Sequence, residues 1–131
     1  TKSTVPSIAV RWTTDYESFF GRKEYAKETA GGYYASRLCV FEYMNHKHVQ
    51  AAALVVRVIT SEYTVPLGVW AVRETMRKAM QCRSMRFSGR EEMVKCVKAL
   101  CVQKFNIDIS SVFSSAKTFS SIAQKSLTQF F

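Results

Sequence analysis

The residues best placed to do chemistry stand at the very end of the chain: Gln124, Leu127, Phe130 and Phe131. With three residues per turn, side chains at 124, 127 and 130 eclipse one another, so a single 3₁₀ turn presents Gln, Leu and Phe in one file. Phe131 stands beside them as a second aromatic prong. One aliphatic and two aromatic side chains make a plug that buries on the order of several hundred Å² in a partner's pocket, while the amide fixes its register. The plainer alternative is a frayed amphipathic end whose Leu127 and Phe130 pack on their own domain.

A second chemical feature is positive charge. The 131 residues carry 19 Lys+Arg against 10 Asp+Glu, a formal charge of +9. Residues 73–104 hold nine basic and three acidic side chains, so most of the excess lies in that quarter. Arg73, Arg77, Lys78, Arg83, Arg86 and Arg90 lead this stretch, and a cluster of that sign attracts polyanions, with nucleic acid the natural partner through counterion release. A pair of solvated helix faces explains the same residues equally well, because Glu74 precedes Lys78, and Glu91 precedes Lys95, by four.

Gly31-Gly32 ahead of a helix can expose amide donors to an anion, although packing or a bend is the more ordinary use of such a pair. Arg57, set in the run Leu54-Val-Val-Arg-Val-Ile, needs an acid such as Glu42 or Glu74 if it is buried, or else lines a cleft. With Glu62, Arg73 and Glu74 around a strand mouth, such a cleft is where an α/β enzyme acting on a nucleotide or nucleic acid would bind. His46 and His48 have no assignable partner and read as surface residues. Cys39, Cys82, Cys96 and Cys101 show none of the usual zinc spacings and read as reduced thiols, so neither a metal nor a cofactor is expected.

These residues need elements to hold them. Continuous β-branched character over Gln50–Thr60 predicts a strand buried on both faces. Helices are predicted near 33–46, with apolar residues almost all round; near 66–82, with Pro66 in the first turn and Thr64 as a cap; and near 90–105 after Gly89. Ser7–Thr13 reads as a short strand, Asp15–Gly21 as a turn of helix, and Ser84–Ser88 as a strand or connector. The expected fold class is α/β: one domain over residues 1–106 with a small mixed sheet packed by about three main helices. A Ser-rich C-terminal tail follows over 107–131, hooked on by Ile109, Val112 and Phe113. Gln50–Val56, the longest apolar run, is cut by Arg57 and is too short to cross a bilayer. The chain opens Thr1-Lys2-Ser3 without an initiator Met, as a processed product, a trimmed chain or one part of a longer protein would.

The spacing at the terminus resembles the box by which proteins bind the sliding clamp, PCNA: Gln, two residues, an aliphatic, two residues, two aromatics. Every position is matched by Gln124, Leu127, Phe130 and Phe131. Together with Gly31-Gly-Tyr-Tyr-Ala-Ser-Arg-Leu-Cys-Val-Phe-Glu-Tyr and Thr64-Val-Pro-Leu-Gly-Val-Trp-Ala-Val-Arg-Glu, the box makes residues 31–131 similar to the C-terminal part of the archaeal Nre DNA-repair proteins. That resemblance implies a role in DNA-damage repair with recruitment to the clamp through those four residues. It also implies a cytoplasmic, chromosome-associated protein whose N-terminal portion, cysteine-rich in the family, is missing here. It supplies no catalytic mechanism, and a plain protein-interaction domain remains the third alternative.

Overall fold

In the computed structural model, residues 10–64 and 68–116 are described, and the fold they form is helical. The helices are α1 (Ala30–Lys47), α2 (Val69–Gln81), α3 (Arg90–Phe105) and α4 (Ser110–Ser115). They fall into two compact units, one spanning Thr14–Arg83 with α1 and α2, the other containing Ser84–Ala116 with α3 and α4.

The α1/α2 unit is built on small residues. Gly31, Ala35 and Cys39 recur every four positions and so share one face of α1, and Ala35 and Cys39 are buried. Against this ridge lies α2: Val69 meets Gly31 so closely that a methyl group there would come within 2.5 Å of Val69 Cγ2. Further along, the Cys39 thiol donates to the Arg73 carbonyl at 3.5 Å. Arg77 then meets Glu42. Contacts that advance in the same direction on both helices mean that α1 and α2 run parallel, so the chain between them must return along its own length.

That returning stretch corrects the expected α/β fold. Among the described residues there is no sheet, and the one β-bridge is the isolated Ser18–Gly21 pair. Residues 50–60 form neither helix nor strand, with Leu54, Val56 and Val58 half-buried and Val55, Arg57 and Ile59 exposed. A ladder needs a second strand to receive its N–H and C=O groups, and no described segment supplies one. The same lack of a partner leaves Val10–Thr13 and Ser84–Ser88 outside any strand. The segment expected as a turn of helix at Asp15–Gly21 is instead a tight reverse turn, with the Gly21 N–H donating to the Ser18 carbonyl at 2.9 Å and Gly21 at φ 81°.

Helix ends follow local chemistry. α1 closes with His48 in the left-handed region (φ 53°), where its N–H and that of Val49 donate back to Asn45 and Met44. α3 closes in the same way on Asn106, a residue that tolerates this conformation. α2 begins at Val69 after an extended Gly68, whereas Pro66, expected in its first turn, lies outside the described residues. In the α3/α4 unit, Cys101, Ile109, Phe113 and Ala116 are buried. The Lys98 ammonium sits 5.8 Å from the centre of the Phe113 ring. Among the described residues, no helix is long and apolar enough to cross a membrane.

Candidate functional site

The densest polar chemistry surrounds the start of α1. Thr29, just ahead of the helix, donates its N–H (2.6 Å) and its hydroxyl (2.7 Å) to Asp15 Oδ2. Arg22 approaches the other Asp15 oxygen at 3.6 Å and donates to the Tyr16 and Glu24 carbonyls. Two residues on, Glu17 accepts from the Tyr33 hydroxyl at 2.6 Å and from Arg37 Nη2 at 2.9 Å, with Arg37 Nε 2.7 Å from its other oxygen. The guanidinium groups of Arg22 and Arg37 also lie over the rings of Tyr33 and Phe41.

The titration of these groups follows from that wiring. Burial raises the Asp15 pKa, but the Thr29 hydroxyl and amide and the Arg22 charge outweigh it, leaving the carboxyl below its ordinary value. Glu17 behaves alike: burial is overcome by Tyr33 and Arg37. Tyr33 is pushed up to about 12 by burial and by the adjacent Glu17 carboxylate. Both acids are therefore held ionised and Tyr33 protonated, an arrangement that fixes geometry and has no proton to exchange near neutrality. Sequence reasoning passed over this network.

Along the α1/α2 seam, Arg77 binds Glu42 through Nη2 (3.0 Å) and Nε (3.4 Å), and Glu74 through Nη1 (3.1 Å). The hydrogen bond from Arg77 draws the Glu42 pKa down, and the same bond raises that of Arg77. Arg73 Nε lies 3.8 Å from Glu74. Of the expected basic face, Arg77 is thus already matched to acids and Arg73 lies beside one. Lys78, Arg83 and Arg86 are exposed and make no ion pair among the described residues, and Arg90 is exposed at the start of α3. Arg73, Arg77, Lys78 and Arg83 belong to one unit, Arg86 and Arg90 to the other. On α3, Arg90, Glu91, Glu92, Val94, Lys95 and Lys98 line an open depression of about 440 Å³, so its basic residues share it with two acids.

The expected cleft is assembled only in part. Gly32 and Arg57 do come together, an added Cβ at Gly32 lying 4.0 Å from Arg57 Nη1. Arg57 is exposed, not buried in a strand, and stacks 5.8 Å from the centre of the Tyr63 ring. Because Glu42 and Glu74 are taken by Arg77, neither serves Arg57 as expected. Glu62 is exposed, and no described hydrogen bond or ion pair links it or Arg57 to the Arg73–Glu74 pair. Gly31 admits Val69, the packing use of such a pair. Burial, with Glu42 nearby, pushes the Cys39 thiol up and away from the reactive thiolate. Among the described residues no three of His, Cys, Asp and Glu gather as a metal site requires. Gln124, Leu127, Phe130 and Phe131 lie outside the described residues.

Gly31, which admits α2, and Arg77, which ties the two helices, fall within a stretch that carries a family signature. Residues 17–130 match the family described as Archaeal Nre, C-terminal. The chain belongs to the Nre family. A DNA repair protein NreA of Haloferax volcanii is 42% identical over 76 residues, covering 58% of this chain and 18% of that protein. NreB of Archaeoglobus fulgidus, also named a DNA repair protein, is 43% identical over 84 residues, 64% of this chain and 21% of the relative. NreA of the same organism is 41% identical over 78 residues, 60% and 20% of the two chains. This Nre chain spans about a fifth of the length of the curated relatives it matches. No solved structure matches it.

Proposed function

We propose that this Nre chain serves DNA repair as a tethered module, in which the box at residues 124–131 docks on the archaeal sliding clamp and the body carries positive charge to nearby DNA. The observation that carries this reading is the terminal box, Gln124, Leu127, Phe130 and Phe131, on a chain whose relatives are named DNA repair proteins. Such a peg converts weak DNA contact into frequent contact, because a tether raises the effective concentration of everything attached to it. Residence at the clamp places the protein on the chromosome.

The ion pairing of α1 and α2 supports a narrower DNA-contacting set than net charge alone would suggest. Arg77 binds Glu42 and Glu74, and Arg73 Nε lies 3.8 Å from Glu74, whereas Lys78, Arg83 and Arg86 keep their charges for solvent or phosphate. The +9 charge supports such contact as a general attraction, independent of base sequence.

The test is clamp affinity for the full 131-residue chain, for a chain ending at residue 123, and for Phe130→Ala/Phe131→Ala. Removing both aromatic anchors is expected to weaken binding at least about a hundredfold, two hot-spot residues being lost together. Equal affinity in all three proteins would remove the clamp from the mechanism.

A further inference from the structure

The reverse turn at Ser18–Gly21 holds two phenylalanines almost wholly in water. Phe19 is 91% and Phe20 93% exposed. Their rings meet edge to face with centroids 5.5 Å apart. Exposed aromatics on a mobile tip would mean little, but both flanks of this tip are anchored. Glu17, on one side, is held by Tyr33 and Arg37; Arg22, on the other, is held by Asp15 and two backbone carbonyls. Within the turn, the Ser18 hydroxyl accepts from the Phe20 N–H at 3.3 Å and donates to the Gly21 carbonyl at 3.4 Å. The network described above therefore works as a mount that presents a paired aromatic prong in a preset geometry, the condition under which such anchors bind most effectively.

We propose that this prong inserts into the part of an Nre protein that lies amino-terminal to this region and seats this region on it. The inference rests on family membership and not on the reading of clamp or DNA binding. Two observations select the occupant. The curated relatives are about five times the length that this chain covers, so a large body of protein accompanies this region in them. The surroundings of the prong are also electrically balanced: Lys23, Glu24, Lys27 and Glu28 follow it, with Lys27 and Glu24 paired at 3.6 Å. Nucleic acid would call for a positive rim to neutralise phosphates, and this tip has none.

The experiment uses full-length Archaeoglobus fulgidus NreA, and in parallel the Haloferax volcanii relative, with the matched segment of each replaced by this chain. A benzophenone amino acid stands in place of Phe20. Photolysis is expected to give cross-links that map to the part of the same polypeptide amino-terminal to this chain. Amide exchange over residues 17–22 is expected to run at least about tenfold slower in the fusion than in the isolated 131-residue chain. In the fusion, Phe19→Ser/Phe20→Ser should abolish that protection while the helical circular dichroism stays unchanged. Phe19→Leu/Phe20→Leu should restore part of it. Cross-links to a second copy, cross-links to DNA, or exchange equal to that of the isolated chain in both fusions would each overturn the proposal.

Discussion

The two units each contain a glycine at the start of a helix, and the two glycines are there for different reasons. Gly31 lies in the first turn of α1 with Val69 pressed against it; Gly89 precedes α3 with nothing within 4 Å of where a Cβ would stand. The first is fixed by a tertiary contact between parallel helices, the second only by local backbone preference. The contrast runs through the whole molecule. Thr14–Arg83 is held by close helix approach and a half-buried polar network, whereas Ser84–Ala116 is a helix pair with a small apolar core and charges left on its surface.

The sharpest way to break that contrast is substitution at the two glycines. Gly31→Val drives two methyls into Val69 and is expected to cost about 3 kcal/mol, at the upper end for overpacking. Gly31→Ala should cost less, because alanine recovers up to about 1 kcal/mol of helix propensity. Gly89→Ala, at φ −150° and in open space, should stay within about 0.5 kcal/mol of the parent. Urea midpoints at constant m decide all three. If Gly31→Val is neutral, the close packing of α2 on α1 is wrong.

A smaller effect is expected from Glu17→Gln, which leaves Arg37 facing an amide and removes the acceptor charge beneath Tyr33. Losing one member of a mostly buried pair costs about 3–5 kcal/mol, but Arg37 is 38% exposed and water screens it, so about 2 kcal/mol is expected. The counterpart in the other unit is Asp108→Asn at the start of α4. Asp108 accepts from the Ser110 N–H at 2.8 Å in full solvent, and its replacement should move the urea midpoint much less.

The same network writes a pH signature with an acid and an alkaline limb, while in the α3/α4 unit Asp108 is also held below its ordinary value, by its hydrogen bonds with Ser110. Asp15 and Glu17 have folded-state values below 3.8 and 4.5, so their stabilising effect is complete above those values and drains away as pH falls through the lower folded ones. Tyr33 is shifted the other way, from 10.0 to about 12. Its contribution is complete below pH 10 and is lost as pH rises from 10 toward 12. Urea midpoints measured against pH should fall on both limbs. The alkaline limb should flatten in Tyr33→Phe, and an unchanged limb would show that Tyr33 ionises alike in folded and unfolded chains.

Much of this design was legible residue by residue, and the part that was not has a physical reason. α2 and α3 announce themselves by apolar residues at helical spacing. The start of α1 does not, because Gly31-Gly32 reads as a breaker until one knows that Val69 must fit there. β-branching over Leu54–Ile59 records what one strand favours and says nothing of whether a second is available, and hence a sheet was expected where none forms. The network was invisible because Asp15 reaches Thr29 across 14 residues and Glu17 reaches Arg37 across 20, with no local period to betray them. Likewise the pairing of Arg77 with Glu42, 35 residues apart, removes from the basic face a residue that composition alone had placed on it.

That last difference gives the smallest effect and the finest test. If charge reaches DNA only where no acid has claimed it, Arg83→Gln and Arg86→Gln should each reduce the slope of log affinity against log salt by about 0.9, the value for one lost phosphate contact. Arg73→Gln should leave the slope where it was, since its guanidinium already faces Glu74. Arg77→Gln has an opposite sign built in: it releases Glu42 and Glu74, adding uncompensated negative charge near any bound phosphate, so affinity falls without the loss of a counterion-releasing contact. Fluorescence anisotropy on a short duplex across a salt series separates the cases. Slopes that drop equally for all four variants would mean that the ion pairs of α1 and α2 open on DNA, and that the basic residues act as one face after all.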